Sequence, residues 1–100
     1  MNKVRAARIA KRKAFAEWAK LVKARDKCCI ICDSTERLNA HHIIPRSNKQ
    51  FALDLDNGLT CCVLHHKFSY DISAHKNPFV FYRWIEENKP ELLKNLKEKI

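Results

Sequence analysis

The chain reads as a small α+β protein: a core tied by a zinc knuckle, a long basic helix before it and a helix after it. Three observations point there. The chain has 100 residues and five cysteines, and a core of this size is marginal and commonly needs a metal, disulfides or a partner. Cys29-Ile30-Ile31-Cys32 is matched later by Cys62 and His65 at the same spacing, and two such pairs suit tetrahedral zinc. The formal net charge of +9 is gathered at one end.

Residues 1–27 hold ten Lys/Arg against Glu17 and Asp26, a charge of +8, while residues 28–100 hold ten against nine acids, a charge of +1. A basic arm on a nearly neutral body suits a phosphate backbone. The plainer reading is a solvated helix face, and charge alone does not separate DNA from RNA or an anionic membrane. The odd cysteine count argues against a fully paired disulfide scaffold. With no apolar leader and no membrane-length apolar run, an intracellular, cytoplasmic, metal-using protein is expected, with no membrane partner.

In chain order, residues 4–27 form a long helix, alanine-rich and free of glycine and proline. Phe15, Trp18, Leu21 and Val22 recur at spacings of three and four and are expected in the core. Arg5, Arg8, Lys11, Arg12 and Lys13 precede them with little apolar face, and that part is expected to order on meeting phosphate. Residues 28–35 read as a turn and residues 38–44 as a strand, which Pro45 ends. A loop follows to the Asn57-Gly58 turn pair, and residues 59–62 return as a short strand. Val63 to Asp71 reads as helical, and Asn77-Pro78 breaks the chain. Residues 79–88 are apolar enough for a helix or a short extended segment. Pro90 opens a last helix with Leu92, Leu93, Leu96 and Ile100 on its apolar face. Residues 1–27 are thus a basic arm, 28–76 the zinc-stabilised core and 77–100 a helical extension, all one domain.

Cys29, Cys32, Cys62 and His65 are the preferred zinc ligands, although Cys28 and Cys61 adjoin them and leave the choice open by one position. A lone C-x-x-C can also be a redox pair. The second pair favours zinc. His41, His42 and His66 remain, in adjacent doublets. Neighbours on a strand face opposite ways, so His41 and His66 can share a second metal ion while His42 stays free to take a proton from water.

The frame of C-I-I-C at 29–32, HHIIPRS at 41–47 and DNGLTCCVLHH at 56–66 resembles the HNH endonucleases, the ββα-metal nucleases, in the version with an embedded zinc knuckle. The likeness covers about residues 27–70 and points to the small stand-alone, phage-type members. It implies a treble-clef-like ββα-metal core, with His42 as the general base and His41 and His66 on a catalytic Mg²⁺ or Mn²⁺. Ni²⁺, Co²⁺ or Zn²⁺ would also suit imidazole. Asn57 would orient the base or brace the loop, and Cys29, Cys32, Cys62 and His65 would hold structural zinc. Many members carry a further histidine where this chain has Tyr70, which leaves Tyr70, Asp71, His75 or water as the third ligand. The activity implied is hydrolysis of double-stranded DNA to 5′-phosphate and 3′-hydroxyl ends, by a monomer or weak homodimer. Arg46 reads equally as a phosphate contact or a solvent-exposed loop arginine. The competing class is a non-catalytic zinc-stabilised nucleic-acid-binding module. Residues 79–84, FVFYRW, are expected in the core, the alternative being a partner surface.

Overall fold

The computed structural model describes residues 2–100, and its elements follow from the local sequence. Helix α1 spans Lys3–Asp26. Asn2 caps it, its side-chain oxygen accepting from Arg5 N–H at 2.8 Å. Lys27 ends it in the left-handed region (φ 68°), with its N–H on the Lys23 carbonyl. The helix runs unbroken through the basic arm, whose sequence suggests ordering only on phosphate; the cap and the alanine-rich sequence supply the local support. Of the predicted stripe, Trp18 and Val22 are buried, Phe15 is half-buried and Leu21 is exposed.

Strands β1 (Leu38–His42) and β2 (Gly58–Cys62) pair antiparallel, with Leu38 opposite Cys62, His41 opposite Leu59 and His42 opposite Gly58. β1 stops at His42, two residues before the predicted end. Ile43 and Ile44 still bond, but to Asn57: Ile43 N–H reaches its carbonyl and Ile44 N–H its side chain. Gly58 is the chain's single glycine and sits where α1 crosses β2; a Cβ there would come within 2.6 Å of Val22 and 2.7 Å of Trp18. Close approach, not turn geometry, requires glycine here.

The predicted helix from Val63 to Asp71 shrinks to a π-helical turn, Leu64–Phe68. Ser69 N–H closes it on the Leu64 carbonyl, and the chain then turns extended. Residues 73–75 fold back on this turn, with Ala74 N–H on the His65 carbonyl and His75 N–H on the His66 carbonyl. Helix α2 covers Pro78–Asn88 and α3 covers Glu91–Lys99, so residues 79–88 are helical. Phe81 and Ile85 are fully buried, with Tyr82 and Trp84 packed against them, while Phe79 stays exposed. Leu93 and Leu96 are buried on α3, whereas Ile100 lies outside.

The result is a small α+β fold with a ββα-like core, a long N-terminal helix and a C-terminal helix. The hairpin is covered on both faces. Trp18 and Val22 of α1 meet it at Gly58 on one side. On the other, Ile30, Leu59, Cys61, Ala74, Phe81, Ile85 and Leu93 form the main core. Among the described residues no helix is long and apolar enough to cross a membrane.

Candidate metal centres and nucleic-acid interface

Two clusters of metal-ligand type stand on the core. The first is Cys29, Cys32, Cys62 and His65. The turn after α1 is closed by Cys29 N–H on the Ser34 carbonyl and Asp33 N–H on the Cys29 carbonyl, with Asp33 at φ 65°. Ile30 N–H bonds the Thr60 carbonyl and pins this turn to β2. Cys32 and Cys62 sulfurs are 3.8 Å apart, and His65 Nδ1 lies 3.3 Å from Cys62 Sγ and 3.9 Å from Cys29 Sγ. Zinc with Zn–S of about 2.3 Å and Zn–N of about 2.0–2.1 Å sets tetrahedral edges of roughly 3.5–3.8 Å, so the donors fit that ion.

The electrostatics agree. Burial works against ionising Cys29, but backbone hydrogen bonds at Cys62, Cys32 and Ile31 outweigh it and hold its thiol below the ordinary value. Burial, and then the neighbouring Cys29 and Cys62, push Cys32 up to about 11. A cation among these sulfurs would offset that cost and let them ligate as thiolates. Burial keeps His65 below the usual imidazole range, hence neutral and able to ligate. Cys61 and Cys28, the neighbours in sequence, lie apart from this group. Cys61, next along β2, is fully buried in the main core and its thiol is pushed up by burial. Cys28 lies outside the cluster, 3.8 Å from an Asp33 carboxylate oxygen.

The second cluster is His41, His66 and His75. β1 supplies His41, the π-helical turn His66, and the returning loop His75. His66 Nε2 and His75 Nε2 are 3.0 Å apart, and the His41 ring lies 5.2 Å from each of the other two. Two nitrogens each about 2.1 Å from one ion and at a right angle across it are about 3.0 Å apart, so this pair fits one divalent cation. His66 Nδ1 is buried without a hydrogen-bond partner. Burial first, and then the neighbouring imidazoles, lower His41 to about 3. Burial, His75 and Lys67 lower His66 to about 4. Both rings are therefore neutral at physiological pH, with lone pairs to offer.

Sequence reasoning pairs His41 with His66 and leaves four options for a third ligand. The structure brings His75 to them. Tyr70 is 82 % exposed, with the Lys76 ammonium 3.8 Å from its ring centre. Asp71 is exposed in the Ser69 turn. One neighbour of the cluster is not visible from sequence: Tyr82 on α2 has its hydroxyl 2.8 Å from His41 Nε2. Its place in an apolar run marks it as core, yet it is half-buried with its polar tip on the cluster.

His42 points to the opposite side of β1. Its Nε2 lies 2.8 Å from the Ala52 carbonyl, and a carbonyl only accepts, so Nε2 carries the proton and Nδ1 of the neutral ring is bare. Burial lowers its pKa, the Ala52 bond pulls it back, and the Arg46 charge lowers it further. Trp18 stacks flat on the ring, 3.8 Å between centroids at 10°. Helical spacing marks Trp18 only as core.

Asn57 is fully buried, and its side-chain hydrogen bonds go to backbone groups of the loop and not to His42. Its Oδ1 accepts from Ile44 N–H at 2.6 Å, while its Nδ2 donates to the Ile44 carbonyl at 3.0 Å and the Phe51 carbonyl at 3.1 Å. These bonds brace the loop that supplies Ala52.

Between α1 and that loop lies a cavity of about 380 Å³, rimmed by Lys11, Arg46 and Lys49 and walled by Phe15, Ala52 and Leu53. Arg46 and Lys11 both place their charge near the Phe15 ring, at 5.8 and 5.9 Å. Arg8 and Arg12 extend the same surface, and Arg5 continues it towards the helix start. Lys13 is exposed and lines neither depression. Nothing in the local sequence singles out Lys49; its position across the loop is what recruits it.

No family model, no curated protein and no solved structure matches the chain. The chain has a ββα-like core carrying a Cys₃His cluster and a His₃ cluster, each with the donor atoms to hold a metal ion.

Proposed function

We propose that this chain is an HNH-type, metal-dependent DNA endonuclease. The observation that carries the reading is the division of labour between adjacent histidines: His41 joins His66 and His75, while His42 keeps Nδ1 bare behind an Nε2–H to Ala52 bond. A zinc-stabilised binding module without catalysis would use the knuckle and the basic arm, but it leaves the three clustered imidazoles and the poised His42 without a task.

His42 Nδ1 takes a proton from the attacking water as its oxygen bonds to phosphorus. The bond from phosphorus to the 3′-oxygen breaks, and that oxygen collects a proton from solvent. The ends are a 5′-phosphate and a 3′-hydroxyl. His41, His66 and His75 would hold a divalent ion, Mg²⁺ or Mn²⁺ in the first instance, supplying positive charge to the scissile phosphate and the departing oxygen. Arg46, Lys11 and Lys49, with Arg8, Arg12 and Arg5 beyond them, would hold phosphates of double-stranded DNA. Asn57 keeps the Ala52 carbonyl in place. Zinc on Cys29, Cys32, Cys62 and His65 would tie the turn after α1 to β2 and the π-helical turn.

The test is nicking of supercoiled plasmid by the purified protein with Mg²⁺ or Mn²⁺, beside His42→Ala. Metal-dependent nicking that vanishes in His42→Ala while DNA binding persists supports the reading. DNA binding with no cleavage under any divalent ion sinks it and leaves the binding module. A monomer or weak dimer of phage-type origin is the accompanying expectation, tested by sedimentation for the oligomeric part.

A further inference from the structure

The imidazole of His42 sits in a slot built by α1. Trp18 covers its face, 3.8 Å between centroids and 10° from parallel. Phe15, almost one turn earlier, meets it edge-on at 5.7 Å and 83°. Trp18 also reaches the far side of the arrangement: its Nε1–H donates to the Asp54 carbonyl at 2.9 Å. Asp54 belongs to the same loop as Ala52, whose carbonyl accepts the His42 Nε2–H. Two restraints therefore meet in one indole.

Both are needed, for a geometric reason. An imidazole turns about its χ2 bond in a broad, roughly two-fold well. Stacking fixes the ring plane but tolerates a half-turn, which exchanges Nδ1 with Cδ2 and Nε2 with Cε1 and so takes Nε2 off the Ala52 carbonyl. A single carbonyl fixes which nitrogen is where but lets the plane tilt. Stack and carbonyl together leave one orientation. Opposite His42 on β2 is Gly58, where even a methyl group would come within 2.7 Å of the indole. Helix and hairpin are pressed together at this point.

We infer that Trp18 is a positioning residue for the hydrolytic base, holding His42 with Nε2–H on Ala52 and Nδ1 free. The inference rests on His42 being that base. It makes α1 part of the active centre as well as a phosphate-binding arm. Lys11, Arg8 and Arg12 on the same helix would hold phosphates, and Trp18 sets the base, so one rigid element relates the two.

The experiment compares wild type with Trp18→Leu and Trp18→Phe, each checked for zinc content and circular dichroism. Nitrogen-15 spectra of the histidine rings near neutral pH, with His42→Ala for assignment, read the tautomer without DNA or added divalent ion. Wild type is expected to show one form with the proton on Nε2, and Trp18→Leu a mixture. In cleavage of a short duplex, Trp18→Leu is expected to lower kcat by about tenfold or more with KM nearly unchanged, and Trp18→Phe to recover most of the loss. A folded Trp18→Leu with a single tautomer and wild-type kcat overturns the inference. If Trp18→Leu does not fold, Trp18→Phe decides. Loss of the indole N–H alone should then lower kcat by about threefold with a minor second tautomer, and no change in either overturns the inference. A wild type that cuts no DNA overturns the nuclease reading instead, while the tautomer spectra still judge whether Trp18 holds the ring.

Discussion

At the scale of single residues the two adjacent histidines should fail in different ways. His42→Ala is expected to lower cleavage by roughly 10²- to 10⁴-fold while divalent-ion affinity stays at its wild-type level. His75→Ala is expected to do the reverse: titration calorimetry with Mn²⁺ should show at least about tenfold weaker binding, with cleavage partly restored by excess ion. If His75→Ala binds Mn²⁺ like wild type, the third ligand is misassigned. The protonation of His42 gives a pH signature. Its pKa lies below the ordinary 6.5, and the base works only when neutral, so the acid limb of the single-turnover rate should fall below pH 6.5. His41 and His66 make a separate claim, about stability of the protein without a metal on their cluster. Their folded values of about 3 and about 4 lie below the unfolded 6.5. The unfolded chain therefore binds more protons below pH 6.5, and folding stability is full above that pH. It is lost as pH falls towards the folded values. Urea midpoints that stay flat between pH 6.5 and 4, taken with zinc supplied to the Cys/His cluster and no other divalent ion added, would contradict this.

At the scale of elements the decisive device is the loop between β1 and β2. The Asn57 side chain holds it with three hydrogen bonds to backbone groups of Ile44 and Phe51. Asn57→Ala should cost about 2–4 kcal/mol in urea unfolding, since buried backbone groups lose their partners. Cleavage should fall as well, because the Ala52 carbonyl is released. Arg25 and Asp26 play a matching part at the end of α1. Arg25 pairs with Asp26 and donates to the Leu55 and Gly58 carbonyls, while Asp26 accepts from Thr60 N–H. These bonds keep α1 in register with β2, which is what sets Trp18 over His42. The π-helical turn acts in the same way on the second cluster. A regular helix after Val63 would carry the chain onward; ending at Phe68 lets residues 73–75 return and deliver His75.

At the scale of the whole molecule the Cys/His cluster is the tie between distant segments. Cys29 and Cys32 follow α1, Cys62 ends β2 and His65 lies in the π-helical turn. Stripping the cluster of metal with a strong chelator should lower the thermal midpoint by well over about 10 °C, or unfold the chain outright, with loss of near-ultraviolet dichroism. An unchanged midpoint would show that the core stands without it. Charge acts at the same scale. DNA affinity should fall steeply with salt. Replacing Arg8 and Arg12 by glutamine should reduce the slope of log affinity against log salt by roughly two, about one for each phosphate no longer neutralised.

Much of this was legible in the chain itself. C-x-x-C with C-x-x-H, the two histidine doublets and the charge of +8 in residues 1–27 are local patterns, and spacing along a helix or strand converts such patterns directly into faces and ligand pairs. They predicted the α+β class, the flanking helices and the segregation of His41 from His42. Tertiary structure decided what depends on chain return and cross-element contact. His75 meets His66 only because a π-helical turn ends early. Cys62 rather than Cys61 meets Cys29 only because the pairing register turns Cys61 into the core. Trp18 looked like any buried tryptophan until α1 crossed Gly58 and laid its indole on His42. Periodicity says which face of an element is apolar; which side chain of another element that face meets is set by packing.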